Sequence, residues 1–169
     1  MIKLTVPSYD LKDEIIEFKD EFMDHNENSI PGSELLDKIN NFEEWMEYIS
    51  KNSSQDTVSE DWVVTDIYLA INNESVVGII SLRHELNDFL KDFGHVGYSV
   101  RPSCRCNGFA KLMLKKVLVK AKELNMQKLQ LSAQKNNIAS RKIIEENNGV
   151  YMRSFDYLDN EVYVYEITL

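Results

Sequence analysis

The sequence predicts a mixed α/β (α+β) domain, with a largely antiparallel sheet of about six to seven strands flanked by helices. Three observations carry this. β-Branched runs pair around short polar turns, at 67–71 with 76–82 and at 150–155 with 161–168, which is the mark of hairpins. Between the two pairs, strand-like and helix-like segments alternate from 94 to 147, as in βα units. With 169 residues, 43% hydrophobic and 28% charged, the chain can bury a real core, and a single domain over 1–169 is expected.

Each element has its own reason. Residues 9–25 read as a helix because Leu11, Ile15, Phe18 and Phe22 recur at helical spacing with acids between them. Ile30-Pro31-Gly32-Ser33 is a turn. Phe42, Trp45, Met46 and Ile49 make a second helical stripe, and the polar stretch 51–61 is expected to be a mobile loop. The first hairpin turns at Asn72-Asn73-Glu74-Ser75, and 85–93 is too short to assign. A strand over 94–101 stops at Pro102. Residues 108–124 give the clearest helix, with Ala110, Leu114, Val117, Ala121 and Leu124 as its buried stripe and five lysines on the remainder. A strand (128–133), a helix (138–147) and the second hairpin, turning at 157–160, complete the chain.

Composition excludes several functions. No apolar run approaches the ~20 residues of a membrane span, and no secretory leader is visible, so neither a membrane nor export is expected. Cys104 and Cys106, one residue apart, are too close to bridge without strain and too few for a zinc site. They read as reduced thiols of a cytoplasmic protein. Net charge is −9, a poor basis for nucleic-acid binding. That total hides a split: residues 1–65 hold 5 basic and 16 acidic side chains, whereas 101–142 hold 11 basic and one acidic, Glu123. The basic segment suggests an anionic ligand.

Within that segment, Val100 to Ala110 reads as a strand end, a short polar loop and a helix that begins at a glycine. The first turn of a helix offers unpaired N–H groups and about half a positive charge. Gly108 lets an anion approach the backbone, and Arg105 and Lys111 add charge. Neither a P-loop nor a dinucleotide fingerprint is present.

The spacing Arg105-x-x-Gly108-x-Ala110 resembles the acyl-CoA signature of GNAT-family N-acetyltransferases. Gly97-Tyr98-Ser99-Val100-x-Pro102 resembles the strand before that signature, and Asn137-Ile138-Ala139-Ser140-Arg141 the family's Asn-containing turn. Glu145 and Gly149 echo the ending of its next helix. Leu82-Arg83-His84-x-Leu86-Asn87 also looks like a little-characterised bacterial branch of predicted acetyltransferases.

The resemblance implies a GNAT-like fold and an acetyl-CoA-dependent N-acetyltransferase, with no metal. Backbone amides from Arg105 through Cys106, Asn107, Gly108 and Phe109 to Ala110 would hold the pyrophosphate, with Lys111 beside them. Tyr98, Ser99 and Val100 would pair with the pantetheine arm like an added strand, and Asn137 and Ser140 would meet it from the other side. Ile144 stands where many members carry a proton-donating Tyr, which leaves Tyr163 and Tyr165 as candidates. The acceptor is expected to be a small-molecule or peptide amine, cationic if the acidic N-terminal third flanks the cleft. A dimer is common among similar proteins, although the residues do not reveal an oligomeric state. A non-catalytic acyl-CoA sensor on the same fold is the alternative, and a plain phosphate-binding domain a third reading.

Strand parity places His95 with Gly97 and Ser99, opposite Val96, Tyr98 and Val100. His95 is thus the candidate general base. Arg83 and His84, at the end of the neighbouring strand, are candidates to line the acceptor site. Trp45 and Trp62 read as core or rim.

Overall fold

The computed structural model describes residues 2–169. Its elements run β1 (Lys3–Thr5), α1 (Lys12–Asp24), α2 (Phe42–Asn52), β2 (Thr65–Asn72), β3 (Ser75–Arg83), α3 (Leu90–Phe93), β4 (Val96–Val100), α4 (Phe109–Glu123), β5 (Lys128–Gln134), α5 (Ile138–Glu146), β6 (Val150–Tyr157) and β7 (Asn160–Thr168). The seven strands form two sheets, ordered β1-β2-β3-β4 and β5-β7-β6, and every pairing is antiparallel. The two sheets touch through an isolated bridge between Gly94 and Leu131.

Helices cover both faces. Ile15, Phe18 and Phe22 of α1 and Trp45 and Ile49 of α2 are buried against Ile67, Leu69 and Ile79 on one face. Each such side chain stabilises by about 1.5–3 kcal/mol on leaving water. On the other face, Met113, Leu114, Val117 and Ala121 of α4 and Ile144 of α5 pack on Ile80, Leu82, Val96, Leu129 and Leu131. This second core spans both sheets and holds together what few strand bonds connect.

The structure corrects the sequence reading in several places. The α4 stripe is shifted: Met113 is fully buried, Ala110 only half so, and Leu124, past the helix end, is 42% exposed. Strand β1 escaped notice because three residues carry no readable period. It pairs Lys3, Leu4 and Thr5 with Ile71, Ala70 and Leu69. The second hairpin turns at 157–160 as read: Tyr157 pairs with Asn160, and Leu158 and Asp159 between them both have positive φ. Asn41 caps α2 by accepting the Glu44 N–H at 3.1 Å.

Candidate active site

Past the Gly94–Leu131 bridge no strand among the described residues pairs with the outer edge of β4. Register fixes what that edge offers. Arg83 N–H donates to the His95 carbonyl and Arg101 N–H to the Val77 carbonyl, so Gly97 and Ser99 direct their backbone groups to β3. Val96, Tyr98 and Val100, in the alternate positions, direct theirs to the open edge. Tyr98 and Val100 therefore sit as an added strand would require. Ser99 does not: its backbone bonds to β3, and its hydroxyl donates to the Pro31 carbonyl at 2.8 Å.

The open edge leads into the start of α4. Gly108 has φ +75°, and a Cβ built on it would meet nothing within 4 Å. None of the N–H groups from Cys106 to Lys111 has a partner among the described residues; the first helical bond is Leu112 to the Gly108 carbonyl. Six donors and an empty space beside a left-handed glycine make a cradle that fits a diphosphate.

The flanking charges are less free than the sequence implied, because the acidic N-terminal third folds against the basic segment. Arg105 is held by both oxygens of Glu27 at 2.7 Å, and its Nε donates to the Val100 carbonyl. Glu21 accepts from Arg101 Nε and from the Ser103 N–H. The Arg105 guanidinium holds the Glu27 carboxyl below its usual range. Burial opposes the same shift in Glu21, but Arg101 and the Ser103 N–H outweigh it. Lys111 pairs with Glu146 at 3.0 Å.

Across the gap, the Asn137 side chain accepts the Ser140 N–H and caps α5. The Ser140 hydroxyl lies 2.8 Å from the Tyr98 hydroxyl, so this pair spans from β4 to α5. Tyr165 is 1% exposed; its hydroxyl accepts from Arg141 Nε and donates to Glu145. Tyr163 packs edge-on against Tyr151, with the Arg141 guanidinium 4.7 Å over its ring.

His95 sits at the vertex where the sheets part. Its N–H donates to the Gln130 carbonyl, and its Nδ1 accepts the Gln130 N–H at 2.9 Å. A neutral ring bonded this way carries its proton on Nε2, where it donates. This tautomer does not suit the general base expected from strand parity, and instead ties β4 to β5. Burial lowers the His95 pKa below 6.5, and the Arg83 and Lys128 charges act in the same direction. The unfolded ring takes a proton first as pH falls, so stability from His95 is full above about 6.5 and is lost as pH falls through the folded value. Urea midpoints measured from pH 7.5 to 5 should therefore drop less steeply in His95→Gln than in the parent.

Gly97 does not face an open cleft. The turn at Pro31 and Gly32 lies on it, and a Cβ on Gly32 would stand 2.2 Å from the Gly97 carbonyl oxygen. Arg83 faces the same side and pairs with buried Glu34 at 3.0 Å. His84 projects to the opposite face, where Nε2 lies 2.9 Å from Asp66, so it cannot share a site with Arg83. Trp45 is fully buried, as read, and Trp62 is half-buried. Sequence reading missed Glu34 altogether; consecutive positive φ values at Glu34 and Leu35 leave no sequence signal when neither residue is glycine.

The chain matches the family model of the acetyltransferase (GNAT) domain over residues 9–149. Its fold is similar to that of a GNAT-family acetyltransferase from Streptococcus pneumoniae, with TM-score 0.73 and 17% identity over 100% of this chain and 99% of the other. It is also similar to a ribosomal-protein alpha-N-acetyltransferase, RimL, in complex with coenzyme A (TM-score 0.74, 12% identity, 99% and 94% covered). An acetyltransferase from Salmonella typhimurium that modifies the N-terminal serine of a ribosomal protein gives 0.69 and 13%, with 99% and 95% covered. No curated protein matches the sequence. Among the described residues, no helix is long and apolar enough to cross a membrane.

Proposed function

Because the chain belongs to the GNAT acetyltransferase family, we propose that it moves an acetyl group from acetyl-CoA to a primary amine by direct attack. One observation carries this reading: the unpaired edge of β4 runs into the row of unpartnered N–H groups at Cys106–Lys111. A pantetheine arm fits the first and a pyrophosphate the second. When bound, acetyl-CoA supplies an activated acyl group as a thioester. The chain's own residues then have three tasks.

Tyr98 and Val100 hold the arm through backbone groups on the free edge, and the N–H groups of Cys106 to Lys111 hold the diphosphate; the Arg105 N–H is not among them, because it donates to the Pro102 carbonyl. A backbone N–H on the free edge, at Val96 or Tyr98, faces the charge that develops on the carbonyl oxygen. The Tyr98–Ser140 hydroxyl pair is the proton source nearest that edge, in place of the Tyr that Ile144 replaces. Tyr163 and Tyr165 are less suited, since both are engaged with Arg141 and α5. Much of the acceleration comes from holding amine and thioester together. The acceptor amine enters from the side of Glu34 and Arg83. Of the sixteen acids in residues 1–65, Glu14, Glu21 and Glu27 are bonded to β3 or to the basic segment and add little to the attraction of a cationic acceptor.

A panel of amines, amino-acid derivatives, polyamines and peptides, assayed for acetyl-CoA-dependent thiol release, tests the proposal. Turnover with at least one amine is expected. Tight acetyl-CoA binding with no turnover on any of them would favour the sensor reading, and ATP competing as well as coenzyme A would favour a plain phosphate-binding domain.

A further inference from the structure

We propose that Glu34, Arg83 and Trp62 form an acceptor subsite for an α-amino amide: an amine that carries a neutral carbonyl oxygen beside it. The inference rests on the acetyltransferase reading above and specifies its acceptor.

The argument begins with hydrogen bonds that are not made. Arg83 spends Nη2 on Glu34 and Nη1 on the Gly94 carbonyl at 3.2 Å, yet its Nε is buried without a partner. Its guanidinium lies 5.8 Å from the Trp62 ring centroid, and Trp62 Nε1 is likewise buried and unpartnered. Asn52, 3% exposed on α2, leaves Nδ2 without a partner as well. Tyr48 belongs to the same neighbourhood: burial raises its pKa and the Glu34 charge adds to the rise, while Asn52 and the Arg83 charge oppose it. Buried N–H donors normally have partners. Two orphaned donors, on a guanidinium that lies over the indole ring, call for an oxygen atom.

Charge decides which oxygen. Glu34 already neutralises Arg83, and their side chains are only 5% and 13% exposed. With the amine deprotonated, as attack on the thioester requires, a second carboxylate would be an unbalanced charge in a nearly dry place, whereas a carbonyl oxygen adds none. The second Glu34 oxygen has no partner among the described residues and is the natural acceptor for the amine N–H. Backbone strain supports the assignment: Glu34 and Leu35 hold φ values of 46° and 69°, unusual for residues with side chains, and strain of this kind collects at functional sites. The location also fits. Gly94, which accepts from Arg83, forms the bridge at which β4 and β5 part, so the subsite adjoins the start of the free edge.

The two tryptophans give a direct readout. Trp45 Nε1 already donates to the Ser33 and Glu34 carbonyls at 2.9 and 3.2 Å and serves as the internal control. In 1H–15N spectra, alaninamide should shift the Trp62 indole resonance, identified by its loss in Trp62→Phe, and bind at least tenfold more tightly than alanine. An alanyl dipeptide amide distinguishes the sources: tighter binding than alaninamide indicates a peptide N-terminus, equal binding a free amide. Trp62→Phe should raise the acceptor KM about tenfold and leave the acetyl-CoA KM unchanged. An unmoved indole, a preference for alanine, or an unchanged acceptor KM would overturn the subsite. The titration is run with and without coenzyme A, so it reports on the subsite independently. Calorimetry with acetyl-CoA separately shows whether the transferase reading has failed.

Discussion

Gly108→Glu should abolish useful acetyl-CoA binding, weakening it by well over tenfold, or more than about 1.4 kcal/mol. Position 108 is where the two requirements of a phosphate cradle coincide. Its φ of +75° favours glycine, and the space beside it is empty of protein atoms. A glutamate there meets no steric block from the protein, so the fold should survive at a cost of about 1–2 kcal/mol for a left-handed residue with a side chain. Its carboxylate would lie among the N–H groups of Cys106–Lys111 and bond to them as a resident anion. Calorimetry on the folded variant measures the loss, and a parallel Gly108→Ala variant separates backbone strain from charge. Equal affinity of Gly108→Glu and the parent would remove the pyrophosphate from this loop.

Gly32→Ala should have the opposite profile. The new Cβ would stand 2.2 Å from the Gly97 oxygen and 2.4 Å from its carbon, on a residue with φ +79°. Backbone cannot yield as a flexible side chain does, so the 30–35 turn must lift from β4. Overpacking and left-handed strain together cost about 2–5 kcal/mol, a large part of the stability of a domain this size. Lifting the turn also moves Glu34, two residues on. Below the melting temperature the variant should bind acetyl-CoA normally and lose most acceptor turnover. If denaturant midpoints match the parent, the turn does not press on β4 as described.

The two glycines show what was legible in the sequence. Gly108 lies within a local pattern: strand end, loop, glycine and helix follow one another in eleven residues, and the chemistry needs nothing from elsewhere. Gly32 was read as a turn and no more, because its reason is Gly97, sixty-five positions on. The same limit applies across the site. Glu34 meets Arg83 over 49 positions and Gln130 meets His95 over 35, whereas single-sequence periodicity reaches only a few turns. Parity grouped His95 with Gly97 and Ser99, but Gln130, the partner that fixes its tautomer, is on another sheet. The charge split was visible as well; that Glu27 would grip Arg105 across 78 positions was not. Among the strands, β1 was lost to brevity rather than distance.

The free edge of β4 has a consequence for how the protein survives in a crowded solution. Unpaired strand edges invite other chains to add on, and proteins usually blunt them with charge, proline or cover. Here the edge is internal. One end is closed by the Gly94–Leu131 bridge and the His95–Gln130 bonds, and the Tyr98–Ser140 contact ties it to α5. Only Val96–Val100 lie along this edge, a template too short to hold an intruding strand by itself. The parting of the two sheets thus leaves backbone groups available without offering a length on which aggregation could start.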